Sequence, residues 1–377
     1  VYKRQFLGCS YFNDNVGVWD MSSATTIKQM FQSCGKFEQD LTNWGGTKLA
    51  KVRNFDQLFH ECNNFKGKGL STWDVSNGES FAYTFYRCTN FNEDISSWKV
   101  DKATDFSSMF FGCKYFNQNL ASWNVKNVTS FKNMFNGCEV FESDLSSWLK
   151  GANSAKILSG MFAGCSKFNA DVKDWNVAGV LEMASLFYNC KNFNRDVSKW
   201  TVGNVTDVSQ MFEGCGTFNC DLSGWEVSKV TNMSGMFASC TAFDQDLSAW
   251  SDKVRNVTNF SRMFGGCINF KGTGLDNWKV FNGTNFNSMF LNCKEFVASL
   301  KDWNIENAIS TKNMFNGALK FNGDVSKWRP VNLEDASGMF ATCRAFNRDL
   351  SSWSTPRLRD MSQMFYSCDL FDSDLSK

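Results

Sequence analysis

All fourteen tryptophans of this chain lie on one ladder: Trp19, Trp44, Trp73, Trp98, Trp123, Trp148, Trp175, Trp200, Trp225, Trp250, Trp278, Trp303, Trp328 and Trp353. The spacing is 25 residues, broken only by intervals of 29, 27 and 28. Large apolar side chains returning on a fixed clock of this length mean an array, because a unit so short cannot bury an indole until its neighbours stack on it. Cysteine keeps the same clock, with fourteen of fifteen on one register from Cys9 to Cys368, and thirty of the thirty-eight phenylalanines fill two more registers. The 377 residues therefore divide into about fifteen copies of one unit.

One copy runs from Trp200 to Trp225. Thr206 is placed to cap a helix, and Val208, Met211, Phe212 and Cys215 follow at i, i+3, i+4 and i+7, which predicts a short helix with one apolar stripe. The residue before the register cysteine is Gly in seven units and Asn at Asn189 and Asn292, types that accept the left-handed conformation closing a helix. A polar corner follows, Phe218-Asn219-x-Asp221-Leu222-Ser223, whose Asp recurs at Asp40, Asp94, Asp144, Asp171, Asp196, Asp246, Asp324, Asp349 and Asp374 and suits an Asx-turn. At Phe65–Leu70 and Phe270–Leu275 this Asp is replaced by glycines, so the corner reads as structural. Trp225 and Val227 sit at the strand period and predict a strand of three or four residues that pairs in parallel with the next unit. The expected fold is an α/β repeat, a right-handed solenoid with one short parallel strand and one short helix per unit.

The string Met-Phe-x-Gly-Cys-x-x-Phe-Asn-x-Asp-Leu-Ser-x-Trp-x-Val-x-x-Val-Thr-x-Met is clearest between Met211 and Met233. It closely resembles the bacterial surface protein repeat also called domain of unknown function 285, and its Phe-x-x-Cys core is similar to BspA-type leucine-rich repeats. The resemblance covers essentially the whole chain. It implies a leucine-rich-repeat-like fold, an extracellular or cell-surface location, and adhesion or recognition without an assigned catalytic activity; it carries no functional residues over. The usual period of 25 and Ala318 in a cysteine register depart from the family pattern.

The ends read differently. Val1-Tyr2-Lys3-Arg4-Gln5 back-translates as GTG TAT AAG AGA CAG, which resembles a sequencing-adapter end, so residues 1–5 are expected to be non-native. Residues 6–377 are expected to form a single continuous solenoid, a fragment of a longer array, since Lys377 stops halfway through a unit.

With 39 basic against 38 acidic residues and no basic block, the composition speaks against a nucleic-acid partner, and no apolar run is long enough for membrane insertion. A single histidine, His60, leaves most acid–base and His–metal chemistry without parts; it reads as a surface or edge residue. The register cysteines lie on the apolar stripe without Cys-x-x-Cys pairs and read as buried reduced thiols, ahead of disulfides or zinc. Cys220 lies off register in the polar corner, where exposure or a bond to Cys215 is the lesser alternative. The Asn/Asp corner is read as backbone capping, ahead of a calcium ladder. Sequons at Asn127, Asn204, Asn232, Asn256, Asn259 and Asn282 follow from the Val-Thr of the repeat. No catalytic, cofactor-binding or metal residue is assigned, and no cofactor is expected.

Binding is expected on exposed strand positions such as Asp74, Asn124, Asn176, Glu226 and Asn304. The function read from the sequence is a non-enzymatic, cell-surface or secreted adhesion or recognition protein whose extended surface takes a protein or glycan ligand. The alternative is a self-associating scaffold or filament element of an extracellular matrix.

Overall fold

A computed structural model describes residues 3–373. Val1 and Tyr2, within the stretch read as adapter-derived, and Asp374 of the corner register lie outside the described residues. The chain divides into two compact units, Val1–Val180 with Asn189–Lys191, and Leu181–Tyr188 with Asn192–Lys377.

Within each unit successive coils stack in parallel. In the first, single bridges join Thr26, Asn54, Ser80, Asp105, Ser130 and Ile157 in turn; in the second they join Asp207, Asn232, Asn259, Asn285, Ser310, Asp335 and Asp360. The stacking matches the expectation, but its place does not. The bridge falls at Asn232, seven residues after Trp225, and no strand forms at Trp225–Val227: there Trp225 N–H donates to Leu222 and Val230 N–H to Val227, each closing a turn. The positions read as strand residues, Asp74, Asn124, Asn176, Glu226 and Asn304, accordingly lie outside any strand.

The expected helix over 208–215 is also absent. Gln210 and Gly214 have φ of 55° and 79°, so a left-handed residue interrupts the right-handed course every four residues. Met211 N–H bonds Val208 and Cys215 N–H bonds Phe212, with Gln210 and Gly214 at the third position of their turns, where type II turns need positive φ. The N–H groups of Val208, Gln210, Phe212 and Gly214 meanwhile donate to Asn232, Ser234, Met236 and Ala238 of the next coil. The backbone thus alternates between its own turn and its neighbour, and both needs are met without a helix or a strand. Among the described residues the helical elements are four three-residue 3₁₀ turns, Thr42–Trp44, Thr47–Leu49, Leu70–Thr72 and Ser248–Trp250.

The irregular intervals have a local cause. Between Trp and the second Val register of its coil the usual five-residue step lengthens at Trp44–Val52, Trp148–Ala155 and Trp250–Val257, and one residue enters each glycine corner. Gly69 and Gly274 take φ of 94° and 84°, and a Cβ on either would overlap the amide nitrogen of Thr42 or Ser248 one coil back. Backbone freedom does replace the Asp cap there, as the sequence suggests.

The interior is built of ladders. Phe85, Phe110 and Phe135 stack across coils at 5.6 Å, and within a coil Phe110 packs on Phe116 at 4.2 Å. Trp73, Trp98 and Trp123 stack at 6.3 Å with interplanar angles of 6° and 2°. From Trp44 on, buried indoles find a polar partner as well: Trp44 Nε1 donates to the Val16 carbonyl at 3.0 Å, Trp225 Nε1 to Val197 at 2.9 Å and Trp250 Nε1 to Leu222 at 3.0 Å.

Candidate functional surface

The Trp-x-Val stretch turns one side chain inward and the next outward, so Trp303 is buried while Asn304 is exposed. The same alternation sets Asp74, Asn124, Asn176 and Glu226 at equivalent positions, with Asp74 half-buried and the others exposed. Several of these side chains cap the turn that begins on them. Asp74 Oδ1 accepts from Ser76 N–H at 3.0 Å, Asn176 Oδ1 from Ala178 at 3.2 Å and Asn304 Oδ1 from Glu306 at 2.9 Å. Glu226 pairs with Lys253 at 3.5 Å, and a Ser228 hydrogen bond, with Lys253 adding to it, holds its carboxyl below the usual value.

Shallow concavities recur in this register in both units. One of about 280 Å³ is lined by Thr72, Asp74, Ser76 and Lys99, and one of about 260 Å³ by Ser122, Asn124, Lys126 and Asn153. In the second unit a concavity of about 260 Å³ is lined by Asp302, Asn304, Glu306, Lys327 and Arg329. Both of its lysines are paired: Lys327 bonds Asp302 at 2.7 Å and Lys301 bonds Asp324 at 3.1 Å. The Lys327 contact holds the Asp302 carboxyl low, and hydrogen bonds from Ser326 hold Asp324 at about 2. Such a surface offers many weak polar contacts spread over several coils.

The other singled-out residues are placed as follows. His60 is half-buried, its ring stacked on Tyr86 at 4.6 Å, and burial lowers its pKa. Cys220 is half-buried with Sγ 3.7 Å from Asp196 Oδ1, while the Cys215 thiol donates to the Phe187 carbonyl at 3.1 Å; no disulfide joins cysteines among the described residues. At the corner Asp221 Oδ1 accepts from Ser223 N–H at 2.8 Å, and Asn219 Oδ1 accepts from Asp244 N–H of the next coil at 2.9 Å. Of the sequon amides, Asn127 Nδ2 donates to the Asp101 carbonyl at 2.7 Å and Asn282 Nδ2 to Arg255 at 2.8 Å.

Two features escaped the sequence reading. The register thiols are donors as well as apolar fillers: Cys113 reaches the Phe85 carbonyl and Cys240 the Phe212 carbonyl, both at 3.0 Å, across coils. The second is the left-handed rank two residues before the inner Phe. Its signal was a pair of Gly, Asn or Ser residues four apart, as in Asn133 with Gly137 or Gly160 with Gly164.

A family model described as "Mycoplasma protein of unknown function, DUF285" matches residues 2–68, 47–148, 156–273 and 258–377. No curated protein matches the chain. Among solved structures, a leucine-rich repeat protein from Bacteroides ovatus is similar at 14% identity over 78% of this chain and 81% of that one, with a TM-score of 0.37. A leucine-rich cell surface protein from Faecalibacterium prausnitzii is similar at 13% identity over 67% and 79%, with a TM-score of 0.33. The T. pallidum leucine-rich repeat protein overlaps at 11% identity over 54% and 77%, with a TM-score of 0.29.

Proposed function

The chain belongs to the DUF285 family, and on that premise we propose that it is a non-catalytic binding module, at the cell surface or outside the cell, that mediates adhesion or recognition. The observation carrying this reading is the shallow, polar concavity that returns in one register and presents Asp74, Asn124 or Asn304 beside lysine side chains. A ligand laid along several coils gathers affinity from summed contacts, whereas catalysis needs a few groups converging on one point. Protein and glycan ligands both suit such a surface.

An array of extracellular-matrix proteins and glycans, probed with the purified chain, tests this. A bound member should lose a few-fold in affinity on Asn304→Ala or Lys327→Ala, and all of it when the three 25-residue coils spanning residues 279–353 are deleted from the contacted stretch. Binding by no member, or complete loss from either single substitution, would count against an extended surface.

A further inference from the structure

One outward patch of the first unit carries large side chains at three ranks together. The rank of Asn133, Gly160 and Asn313 holds Tyr83 at φ 59°, and the rank of Gly112 and Gly137 holds Glu61 and Arg87 at φ 62° and 57°. At the Tyr83 rank Gln29, Gln57, Gln210 and Arg262 also take the left-handed conformation, but at the rank of Glu61 and Arg87 the other coils hold Gly, Asn, Ser or Thr. The strain there is peculiar to this patch, and such strain collects where a side chain is needed for something other than folding. The rank between them carries Gln32, His60, Tyr86, Phe111 and Asn136 in successive coils. His60, Tyr86 and Phe111 stack face to face at 4.6 and 4.7 Å, and Tyr83 stands tilted beside Tyr86 at 5.6 Å, 38% exposed. Arg87 lies 5.3 Å over the Tyr86 ring and 3.6 Å from Glu61, whose other oxygen accepts from Ser33 at 3.0 Å. His60 Nδ1 is buried without a hydrogen-bond partner, 3.8 Å from Glu61.

We propose that Tyr83, Tyr86, Arg87, Glu61 and His60 form a binding site for a neutral saccharide. The site lies outside the Trp-x-Val furrow and stands independently of it. Glu61 and Arg87 cancel each other, so a charged ligand gains little, yet both keep planar donors and acceptors at the edge of the rings. Sugars join apolar C–H faces to a rim of hydroxyls, and that combination meets an aromatic surface bordered by a guanidinium, a carboxylate and an imidazole. The rings of the ladder cover one another's faces, so the aromatic surface offered to a ligand is the tilted ring of Tyr83 with the ring edges beside it.

The test uses residues that other coils already hold at these ranks. Tyr83→Asn and Arg87→Gly relieve strain, so the melting temperature should hold or rise, which separates binding from folding. Cellohexaose, maltohexaose and laminarihexaose serve as probes in isothermal titration calorimetry against the full chain. At least one is expected to bind the wild type saturably, and each substitution should weaken it about tenfold. Three results would each overturn the proposal: no heat from any probe at millimolar concentration, binding undiminished in both variants, or a patch that takes a polyproline peptide and none of the sugars.

Discussion

At the scale of the residue, stability rests on side chains that are apolar in body and polar at one atom. Trp225 is fully buried and spends its single N–H on the Val197 carbonyl. Trp225→Ala removes both and should cost about 3–5 kcal/mol in denaturant unfolding; an unchanged midpoint would mean that the ladder is not the core. The ladder thiols work in the same way, and burial raises the pKa values of Cys62, Cys113, Cys138 and Cys240, and that of Cys34 to about 11. Alkylation of the native chain at pH 8 should therefore reach the exposed Cys9 first and leave the buried ladder unmodified, while the denatured chain titrates fifteen thiols without reductant. Recovering about one thiol would signal seven disulfides. Acid acts on the corners. The carboxyls of Asp40 and Asp324 are held at about 2, the first by Thr42 and Lys68 and the second by Ser326 and Lys301. Because these values lie below those of an unfolded aspartate, the contribution is complete above about pH 4 and is lost as the pH falls toward 2. Thermal melts should drop through that window, and Asp324→Asn should lessen the drop.

At the scale of the element, the recurring piece is a spiral of turns whose alternate N–H groups cross to the next coil. Its content of ordinary helix and strand is low, so far-UV circular dichroism should lack the helical double minimum despite the amphipathic stripe. The glycine corner shows how closely coils approach. Gly274→Ala would press a Cβ onto the Ser248 backbone at a φ of 84°, and a loss of about 3 kcal/mol is expected. An alanine tolerated there would mean that the coils stand farther apart.

At the scale of the whole molecule, each unit is held by contacts between nearest coils, and stability in such arrays is close to a sum over coils and interfaces. Residues 304–328 make one coil of 25 residues, from Asn304 to Trp328. Their deletion returns Trp303 to the register of Trp328 and should leave a cooperative, moderately less stable fold. Deleting thirteen residues, 304–316, instead sets the corner Asp324 against the register of the buried Phe286 and should unfold the neighbouring coils, which calorimetry of the two variants distinguishes.

The clock of Trp, Cys and Phe determined by itself that the chain is a stacked array, that these residues form its interior, and that the corner Asp caps a turn, because each follows from burial or from a bond two residues away. The backbone path was decided by stacking. Val208, Met211, Phe212 and Cys215 fit a period of 3.6 and a period of 4 equally over so short a run. What separates them is where the N–H of Gln210 and Gly214 goes, and its acceptors, Ser234 and Ala238, are 24 residues on. A bond that far along the chain leaves no trace in a local pattern except the Gly and Asn that tolerate its geometry. The right-handed rule loses its premise with the strand and helix it joins. The cluster around His60 was illegible for the same reason: His60, Tyr86 and Phe111 are ordinary residues 26 and 25 apart in sequence, and only the stacking of coils brings their rings together.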